Sequence, residues 1–360
     1  MKAAVLRGIG QSFEIEDVLV SKPGPREVLI RTVAAGVCHT DLHFHNGAYP
    51  CPMPSVLGHE AAGVVEQVGS EVRYVQPGDH VITCLSVFCG QCEYCLTGRQ
   101  SLCRKKDVRR GPDQESRLSL EGEPVHQFFD LSSFAEQMLV HEHAIVKITK
   151  DMPLDRAALI GCGVTTGLGA VFNTAGIEPG CVVAVLGCGG IGLNVIQGAT
   201  IAGASRVIAI DILDSKLELA RAFGATDAVD AGAGNPVAQV KELVKGGVDY
   251  SFEAIGTKTT AEQAFSMLRA GGTATVIGMI PPGVKIEIDG SVLLGERKIQ
   301  GSAMGSNRFR VDMPKYVDFY LSGKLKIDEM VSSHIELEDL DRAFELLERG
   351  EVTRQVVDIS

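Results

Sequence analysis

Four cysteines stand close together in one short segment of the chain. Their spacing is C-x-x-C-x-x-C-x7-C, formed by Cys89, Cys92, Cys95 and Cys103. Four thiolates so spaced can close a tetrahedral zinc site that has no open position. An iron–sulfur cluster is the alternative, but in its bacterial motif the fourth cysteine comes sooner and a proline follows. Because Arg104 follows here, the array favours a structural zinc ion.

A second group of metal-ligand residue types lies nearer the N-terminus. Cys38, His39, Asp41 and His43 fall within six residues, which suits a metal-binding turn or short helix. The segment Gly58-His59-Glu60 follows and opens the pattern G-H-E-x-x-G-x5-G-x-x-V. Thiolate, imidazole and carboxylate groups are all ligands that zinc accepts. This stretch is therefore a candidate metal-binding region.

Three glycines, Gly187, Gly189 and Gly192, have G-x-G-x-x-G spacing between an apolar run and a helical pattern. Such glycines permit a tight turn, close approach of a pyrophosphate and close helix packing, and the helix directs its free N–H groups at the phosphates. Asp211 ends the next predicted strand, nineteen residues after Gly192. A carboxylate there accepts hydrogen bonds from the ribose hydroxyls of NAD. The motif therefore predicts an NAD site.

The glycine motif lies in a region that alternates strand and helix patterns. Strands are predicted at 181–186, 206–210, 227–229, 248–252 and 273–278. Helices are predicted at about 191–202, 214–223, 236–245 and 259–268. Alternation at this pitch predicts a doubly wound parallel sheet with right-handed crossovers.

The flanking segments have a different character. Residues 1–35 and 131–150 alternate apolar and polar side chains, which predicts antiparallel strands, and residues 104–130 predict a surface loop with a short hairpin. A helix beginning at Leu154 is expected to break at Gly161-Cys162-Gly163. Helices near 311–322 and 338–349 and a strand at 354–359 are expected to return to the first domain. The nucleotide domain would then be an insertion.

Composition excludes several classes of partner. The 360 residues carry a formal net charge of −11, which argues against a nucleic-acid or anionic-membrane surface. No uninterrupted apolar run is long enough to span a bilayer, and the first residues lack a signal-peptide pattern. Ten cysteines without such a signal favour a reducing, cytoplasmic location, where cysteines more often bind metal than form disulfides.

With these motifs in this order, the chain resembles the zinc-dependent medium-chain alcohol dehydrogenases over its whole length. The resemblance rests on the G-H-E pattern, the Cys38–Asp41 segment, the cysteine array, Gly161-Cys162-Gly163, and the glycine triplet with Asp211. It implies an α/β fold in which a Rossmann doubly wound parallel sheet is inserted into a β-rich GroES-like catalytic domain. Residues 1–160 plus 302–360 would form the catalytic domain, and residues 161–301 the NAD-binding domain.

The resemblance implies two zinc ions per chain. Cys38, His59 and Cys162 match the ligands of a catalytic zinc, with the fourth position left to water or substrate. The array of four cysteines matches the structural zinc. The catalytic ion would polarise an alcohol oxygen so that an alkoxide can exist near neutrality, and the alkoxide carbon would give a hydride to NAD. The reaction would be reversible oxidation of a small alcohol to an aldehyde.

Further roles follow from the resemblance. Asp41 matches a carboxylate that orients His59, and Glu60 matches a residue behind the zinc. Thr40 matches the hydroxyl that contacts the substrate oxygen, and His43 the end of the proton relay.

The remaining matched positions contact the cofactor. His39 matches a pyrophosphate contact that is often arginine in the family, and histidine can lose its charge near neutral pH. Thr166, Lys216 and Arg354 match further cofactor contacts.

Three functions stay open. The first is oxidation of a primary or aromatic alcohol, and the second is oxidation of the glutathione adduct of formaldehyde. Family members of the second kind carry an arginine where this chain has Asp107, although Arg104, Lys105 and Lys106 are near. The third is a non-catalytic nucleotide-binding protein on the same fold, but such a protein could lose zinc ligands that this chain retains.

Assembly is also inferred from the resemblance. An apolar strand near 292–304 matches the family's subunit-pairing region, so a homodimer is expected without nucleic-acid or membrane partners.

Overall fold

The computed structural model describes residues 1–104, 108–111 and 113–359. The chain forms two compact units, one of residues Met1–Gly163 together with the segment from Arg308 onward, the other of Val164–Asn307. The first boundary lies three residues beyond the predicted one, because Cys162 belongs to a buried cluster of the first unit. The second lies after Asn307, so that residues 302–307 belong to the second unit.

The first unit is rich in strands. In chain order these are β1 (Lys2–Leu6), β2 (Glu14–Asp17), β3 (Leu19–Val20), β4 (Glu27–Gly36), β5 (Ser55–Val56), β6 (Glu60–Val68), β7 (His80–Thr83), β8 (Leu118–Leu120), β9 (Glu123–Pro124), β10 (His126–Gln127), β11 (Gln137–His141) and β12 (Ile145–Ile148). Its first helices are α1 (His39–His45), α2 (Glu93–Leu96) and α3 (Leu154–Leu159).

The segment after Arg308 completes this unit with α9 (Phe309–Leu321), β19 (Val331–Ile335), α10 (Leu340–Glu348) and β20 (Arg354–Asp358). Helix α10 buries Leu340, Ala343, Phe344 and Leu347, the spacing of one helix face. The final strand β20 pairs antiparallel with β4, as expected for a tail that returns to the first domain.

The largest sheet of the first unit positions its polar residues. Its strand order is β12-β7-β6-β4-β20-β19, and β11 also pairs with β4. The core includes Ile30, Ala61, Val81 and Val357 from four neighbouring strands. Because Gly36 of β4 is the register partner of both Glu60 of β6 and Val356 of β20, the end of β4 brings distant parts of the sequence together.

The second unit contains one six-stranded parallel sheet. Its strands are β13 (Val182–Leu186), β14 (Arg206–Asp211), β15 (Asp227–Asp230), β16 (Val248–Glu253), β17 (Leu268–Val276) and β18 (Lys298–Gly301). Its helices are α4 (Thr165–Gly169), α5 (Gly190–Ile201), α6 (Asp214–Ala222), α7 (Pro236–Leu243) and α8 (Lys258–Ser266). The order β15-β14-β13-β16-β17-β18 is that of a doubly wound dinucleotide-binding fold, which confirms the predicted fold class.

Two local predictions were wrong. The helix beginning at Leu154 does not break at Gly161-Cys162-Gly163 but continues through a π-helical turn at Ile160–Val164 into α4. The glycines are accommodated in a π-turn within the helix, so the helix does not end there. The segment 292–304 is not one strand, because a 3-10 helix covers Gly290–Gly295 and only Lys298–Gly301 is extended.

The continuous helical segment Leu154–Ala175 is long and apolar enough to cross a membrane by length and composition. In its most apolar window, however, 83% of the residues are buried inside the protein. This segment is therefore part of the protein core.

Candidate active site

A cluster of metal-ligand side chains lies at the buried end of β4 and β6. Cys38, His59, Glu60 and Cys162 each place one ligand atom within 4.8 Å of the others. Cys38 precedes α1, His59 precedes β6, and Cys162 lies in the π-helical turn. Three separate segments thus converge on one point, and none of these side chains is more than 3% exposed.

The donor set and its spacing fit a zinc ion. The Nε2 atom of His59 lies 3.3 Å from Sγ of Cys162. Zinc bonds of about 2.0–2.1 Å to nitrogen and about 2.3 Å to sulfur in a tetrahedral site place two such ligands about 3.6 Å apart. Two thiols and one imidazole are three protein ligands, the number that catalytic zinc sites have, and the Glu60 carboxylate is the fourth polar group of the cluster.

Asp41 fixes the orientation of His59. Its Oδ1 atom lies 2.9 Å from Nδ1 of His59 and accepts a hydrogen bond from the N–H of Gly58. Its Oδ2 atom accepts from the N–H of Cys38. The carboxylate therefore selects the ring nitrogen that faces the cluster and ties the two ligand-bearing loops together.

Glu60 and Arg354 form a buried polar pair at the cluster. Oε1 of Glu60 accepts a hydrogen bond from the N–H of Gly163 and lies 3.5 Å from Nη1 of Arg354, which also donates to the carbonyl of Val37. Oε2 of Glu60 has no hydrogen-bond partner among the described residues. A buried carboxylate oxygen that lacks a hydrogen-bond partner and lies beside two thiols indicates a binding site for a cation.

The buried groups perturb one another's protonation. A hydrogen bond between the two thiols lowers the pKa of Cys38 well below its usual range and raises that of Cys162. Burial alone would lower the pKa of His59, but the charge of Asp41 raises it well above its usual value. Burial raises the pKa of Glu60 to about 8, against the opposing charge of Arg354. Metal ligation requires deprotonated thiols and a neutral ring, so ion binding would release protons here.

The second cluster is the cysteine lobe formed by Cys89, Cys92, Cys95 and Cys103. Sγ of Cys95 lies 3.9 Å from that of Cys89 and 3.5 Å from that of Cys92, and the Cys92–Cys103 separation is 3.8 Å. Sulfurs about 2.3 Å from a tetrahedral zinc stand about 3.8 Å apart. All ten cysteines of the chain lie among the described residues, and none of them forms a disulfide. The lobe fits a closed structural zinc site.

Helix α1 carries the predicted proton-relay and pyrophosphate residues. Its N-cap is Cys38, and His39, Thr40 and His43 follow within its first five residues. Thr40 and His43 are three residues apart and share one helix face. His39 is exposed, and His43 is half-buried. Burial lowers the pKa of His43, so its ring is neutral at physiological pH.

The glycine-rich turn of the second unit joins β13 to α5. Gly187 has φ +90°, and a Cβ atom on Gly192 would lie 1.7 Å from the carbonyl oxygen of Gly187. A Cβ on Gly189 would meet nothing within 4 Å. The first and third glycines are therefore required by the backbone, while the second faces open space at the N-terminus of a twelve-residue helix. This space fits a pyrophosphate group.

Asp211 lies at the carboxyl end of β14, beside this turn. Its Oδ2 atom accepts a hydrogen bond from the N–H of Cys188 at 2.8 Å, and its Oδ1 atom accepts from the N–H groups of Ile212 and Leu213. Each carboxylate oxygen keeps further acceptor capacity for ribose hydroxyls. Lys216 is half-buried on α6, one turn after Asp211.

The structure separates the other predicted cofactor residues between the two units. Thr166 lies in the second unit, where its hydroxyl contacts the sulfur of Met304 at 3.4 Å. His39 and Arg354 belong to the first unit. The predicted glutathione-site position Asp107, with Lys105 and Lys106, lies outside the described residues.

Two features of the site were not anticipated. The pairing of Arg354 with Glu60 depends on β20 reaching β4, which no local pattern encodes. Phe128 and Phe129 lie with ring centroids 6.1 and 5.9 Å from that of His59, and Phe129 has φ +50°. The two consecutive phenylalanines, which lie within the segment 104–130 predicted as a surface loop, were the sequence feature that could have indicated an aromatic contact.

Comparisons with known proteins agree with this geometry. The family model described as the alcohol dehydrogenase GroES-like domain matches residues 24–150. The model described as zinc-binding dehydrogenase matches residues 190–322. Together they cover the cysteine lobe, Cys38, His59 and Glu60 of the buried cluster, and five of the six strands of the nucleotide-binding sheet, β14 to β18.

Curated relatives span the whole chain. The alcohol dehydrogenase class-3 of Oryza sativa subsp. japonica is 40% identical over 365 residues, covering 99% of this chain and 96% of the relative. The S-(hydroxymethyl)glutathione dehydrogenase of Paracoccus denitrificans is 39% identical over 370 residues, covering 99% of each.

Solved structures show the same architecture. An alcohol dehydrogenase zinc-binding domain protein from Burkholderia ambifaria has a TM-score of 0.95 at 37% identity, over 100% of this chain and 98% of that one. The benzyl alcohol dehydrogenase of Acinetobacter calcoaceticus has a TM-score of 0.93 at 34% identity, over 100% and 99%. The chain therefore belongs to the zinc-dependent medium-chain alcohol dehydrogenase family and is an oxidoreductase that uses zinc and a nicotinamide dinucleotide.

Proposed function

We propose that this enzyme oxidises a primary or aromatic alcohol to its aldehyde, reversibly and with NAD as hydride acceptor. The observation that carries the proposal is the buried cluster in which Cys38, His59 and Cys162 bring two sulfurs and one nitrogen together beside Glu60. These three side chains would hold the catalytic zinc, and the cysteine lobe the structural zinc. We assign the catalytic domain to the first compact unit, which contains Cys162, and the NAD-binding domain to the second unit, Val164–Asn307.

The chain's own residues would position the substrate and carry its proton. When bound, zinc polarises the alcohol oxygen and lowers its pKa, and NAD accepts the hydride. Thr40 would take up the hydroxyl proton, and His43, on the same face of α1, would pass it to solvent. The lowered pKa of His43, which follows from burial, keeps the ring in the neutral form that accepts a proton.

NAD would bind with its pyrophosphate at the N-terminus of α5, over Gly187, Gly189 and Gly192. Asp211 would accept hydrogen bonds from the adenosine ribose, with Lys216 as a neighbouring cation. Thr166 from the second unit and His39 and Arg354 from the first are proposed as further cofactor contacts.

Aromatic side chains support an aromatic or apolar primary alcohol. The Phe129 ring lies 5.9 Å from His59 and 5.4 Å from Phe44, and Phe44 lies 5.6 Å from Tyr49. These half-buried rings offer edges and faces against which a benzyl group could pack. The similarity to a benzyl alcohol dehydrogenase supports the same substrate class.

The glutathione adduct of formaldehyde is a second candidate, favoured by the names of the curated relatives. A cavity of about 550 Å³ in the first unit includes Arg109, Arg110 and Arg117 in its lining. Each of these arginines is already paired with a carboxylate, Arg109 with Asp130 at 2.6 Å and the other two with Glu27. Pairing weakens the attraction of these arginines for a glutathione carboxylate, but three guanidinium groups share two carboxylates, so one positive charge remains for such a ligand.

We also infer a cytoplasmic homodimer by analogy with the family. The exposed Leu293 and Leu294 and the edge strand β18 support this pairing surface. The net charge of −11 is consistent with a small-molecule substrate rather than nucleic acid.

A substrate panel tests the proposal. NADH formation is measured with ethanol, benzyl alcohol and a terpene alcohol, and with formaldehyde in the presence and absence of glutathione. We expect the highest kcat/KM with one of the alcohols. An activity that requires glutathione would replace the first candidate by the second, and no turnover with any of these compounds would overturn both proposed substrate classes.

A further inference from the structure

Glu253 is a buried carboxylate that none of the roles above uses. It is the last residue of β16, in the second unit, and its side chain is 0% exposed. Its Oε2 atom has no hydrogen-bond partner among the described residues. A buried carboxylate oxygen without a hydrogen-bond partner is costly, so the side chain needs a structural or functional explanation.

The other oxygen of Glu253 organises the loop after β16. Oε1 accepts hydrogen bonds from the N–H of Ile255 at 2.9 Å, the N–H of Gly256 at 2.7 Å and the hydroxyl of Thr260 at 2.8 Å. Thr260 lies in the first turn of α8, so one atom holds both the loop and the start of the helix.

The loop after β16 lies beside the glycine-rich turn. Strands β13 and β16 are neighbours at the point where the strand order reverses, and the N–H of Ala254 donates to the carbonyl of Leu186. A Cβ on Gly187 would lie 2.5 Å from Cγ1 of Ile255, whose side chain is 48% exposed. In open α/β sheets this reversal point is where dinucleotides bind, so Ile255 faces that crevice.

The loop after β17 closes against the same loop. A Cβ on Gly278 would lie 2.1 Å from the backbone nitrogen of Gly256 and 2.7 Å from Oε2 of Glu253. Because Gly278 has no side chain, there is room for the Glu253 carboxylate, and the backbones of Gly256 and Gly278 can lie in contact. The position of Ile255 is set by the carboxylate and these contacts together.

We propose that Glu253 is a positioning residue of the dinucleotide crevice, which holds the Ile255–Gly256 loop so that Ile255 forms one wall of it. The inference rests on the proposed NAD site. Only Oε1 is engaged, so a glutamine, which keeps one oxygen acceptor, should retain the function. An alanine should release the loop and weaken dinucleotide binding, because the wall is no longer pre-organised.

The test is the Kd of NADH, measured by fluorescence titration of the purified full chain. We expect Glu253→Gln to stay within about threefold of the unmodified protein and Glu253→Ala to bind about tenfold more weakly. The KM for NAD should rise in Glu253→Ala while kcat at saturating NAD changes little. Ile255→Ala, an exposed-site change that should fold, is expected to weaken NADH binding as well.

Ser251→Ala is the matched control. Ser251 lies on the same face of β16, is buried, and donates to the carbonyl of Ala264 at 2.7 Å without touching the loop. Its loss should lower thermal stability but leave the Kd unchanged. Unchanged binding in Glu253→Ala or Ile255→Ala, or equal weakening in Ser251→Ala, would overturn the inference alone. Absence of NADH binding by the unmodified chain would overturn the proposed function with it.

Discussion

Nη1 of Arg354 lies 3.5 Å from Oε1 of Glu60, and the two side chains are almost wholly buried beneath the proposed catalytic metal site. The pair joins β20, near the end of the chain, to β6 near its beginning. The buried guanidinium would stabilise the negative charges on Glu60 and on the thiolates that metal binding requires. The C-terminal segment therefore completes the electrostatic environment of the site.

Replacing Arg354 by alanine should destabilise the first unit strongly. Removing the guanidinium takes away the cation beside Glu60 and the buried donor to the carbonyl of Val37, at a cost of about 1–3 kcal/mol. Urea unfolding monitored by circular dichroism measures this change. Arg349→Ala, at an exposed arginine five residues earlier, is the control and should shift stability by less than about 0.5 kcal/mol. Equal stability of the two variants would show that Arg354 does not compensate Glu60.

Cys95→Ser should remove one of two zinc ions and lower thermal stability. A closed four-thiolate site contributes its binding free energy to folding, so opening it loosens the lobe. Elemental analysis and a thermal melt on the same sample measure both effects. Cys84→Ser, at a buried cysteine outside both clusters, is the control and should keep two zinc ions. A Cys95→Ser protein with two zinc ions would contradict the structural site.

His43→Gln should slow alcohol oxidation mainly below neutral pH. Because burial lowers the pKa of His43, its ring stays a neutral proton acceptor to lower pH than a free imidazole would, where hydroxide is scarce. The loss should be near the low end of the ~10²–10⁴-fold range for acid–base groups and should shrink as the pH rises. A pH–rate profile with and without added imidazole measures it.

His45→Gln is the control for this series, because the His45 ring instead contacts the carbonyl of Gln11. If the profiles of His43→Gln and the unmodified enzyme coincide, His43 has no part in proton release.

Asp211 should select NAD over NADP. A 2′-phosphate would bring about two negative charges against its carboxylate and remove the hydrogen bonds to the ribose, at a cost of a few kcal/mol. We expect a preference of roughly a hundredfold or more in kcat/KM. Asp211→Gly should reduce the preference for NAD over NADP. The double variant Asp211→Gly with Ile212→Arg should shift the preference further toward NADP. Equal efficiency with both cofactors in the unmodified enzyme would show that Asp211 does not discriminate.

Local patterns predicted much of the molecule. Alternation of apolar runs with helical patterns located the strands and helices of the nucleotide unit. Ligand chemistry selected the cysteine array and the Cys38–Glu60 region, whereas Cys162 was assigned by the family resemblance. Local patterns failed where distant contacts decide the conformation. The π-turn that carries Cys162 forms in a packed helix that its glycines alone would break, and Phe129 adopts φ +50° beside His59. The Arg354–Glu60 pair similarly requires the complete sheet.

The most direct test of the central claim is the zinc content and turnover of Cys162→Ser. Serine keeps the shape of the side chain but removes a thiolate ligand from the proposed catalytic site. Cys181→Ser, at a buried cysteine outside both clusters, is the matched control. We expect two zinc ions and NADH formation for the unmodified enzyme and for Cys181→Ser, but one zinc ion and no measurable alcohol oxidation for a folded Cys162→Ser. A Cys162→Ser protein that keeps two zinc ions and full activity would contradict the account.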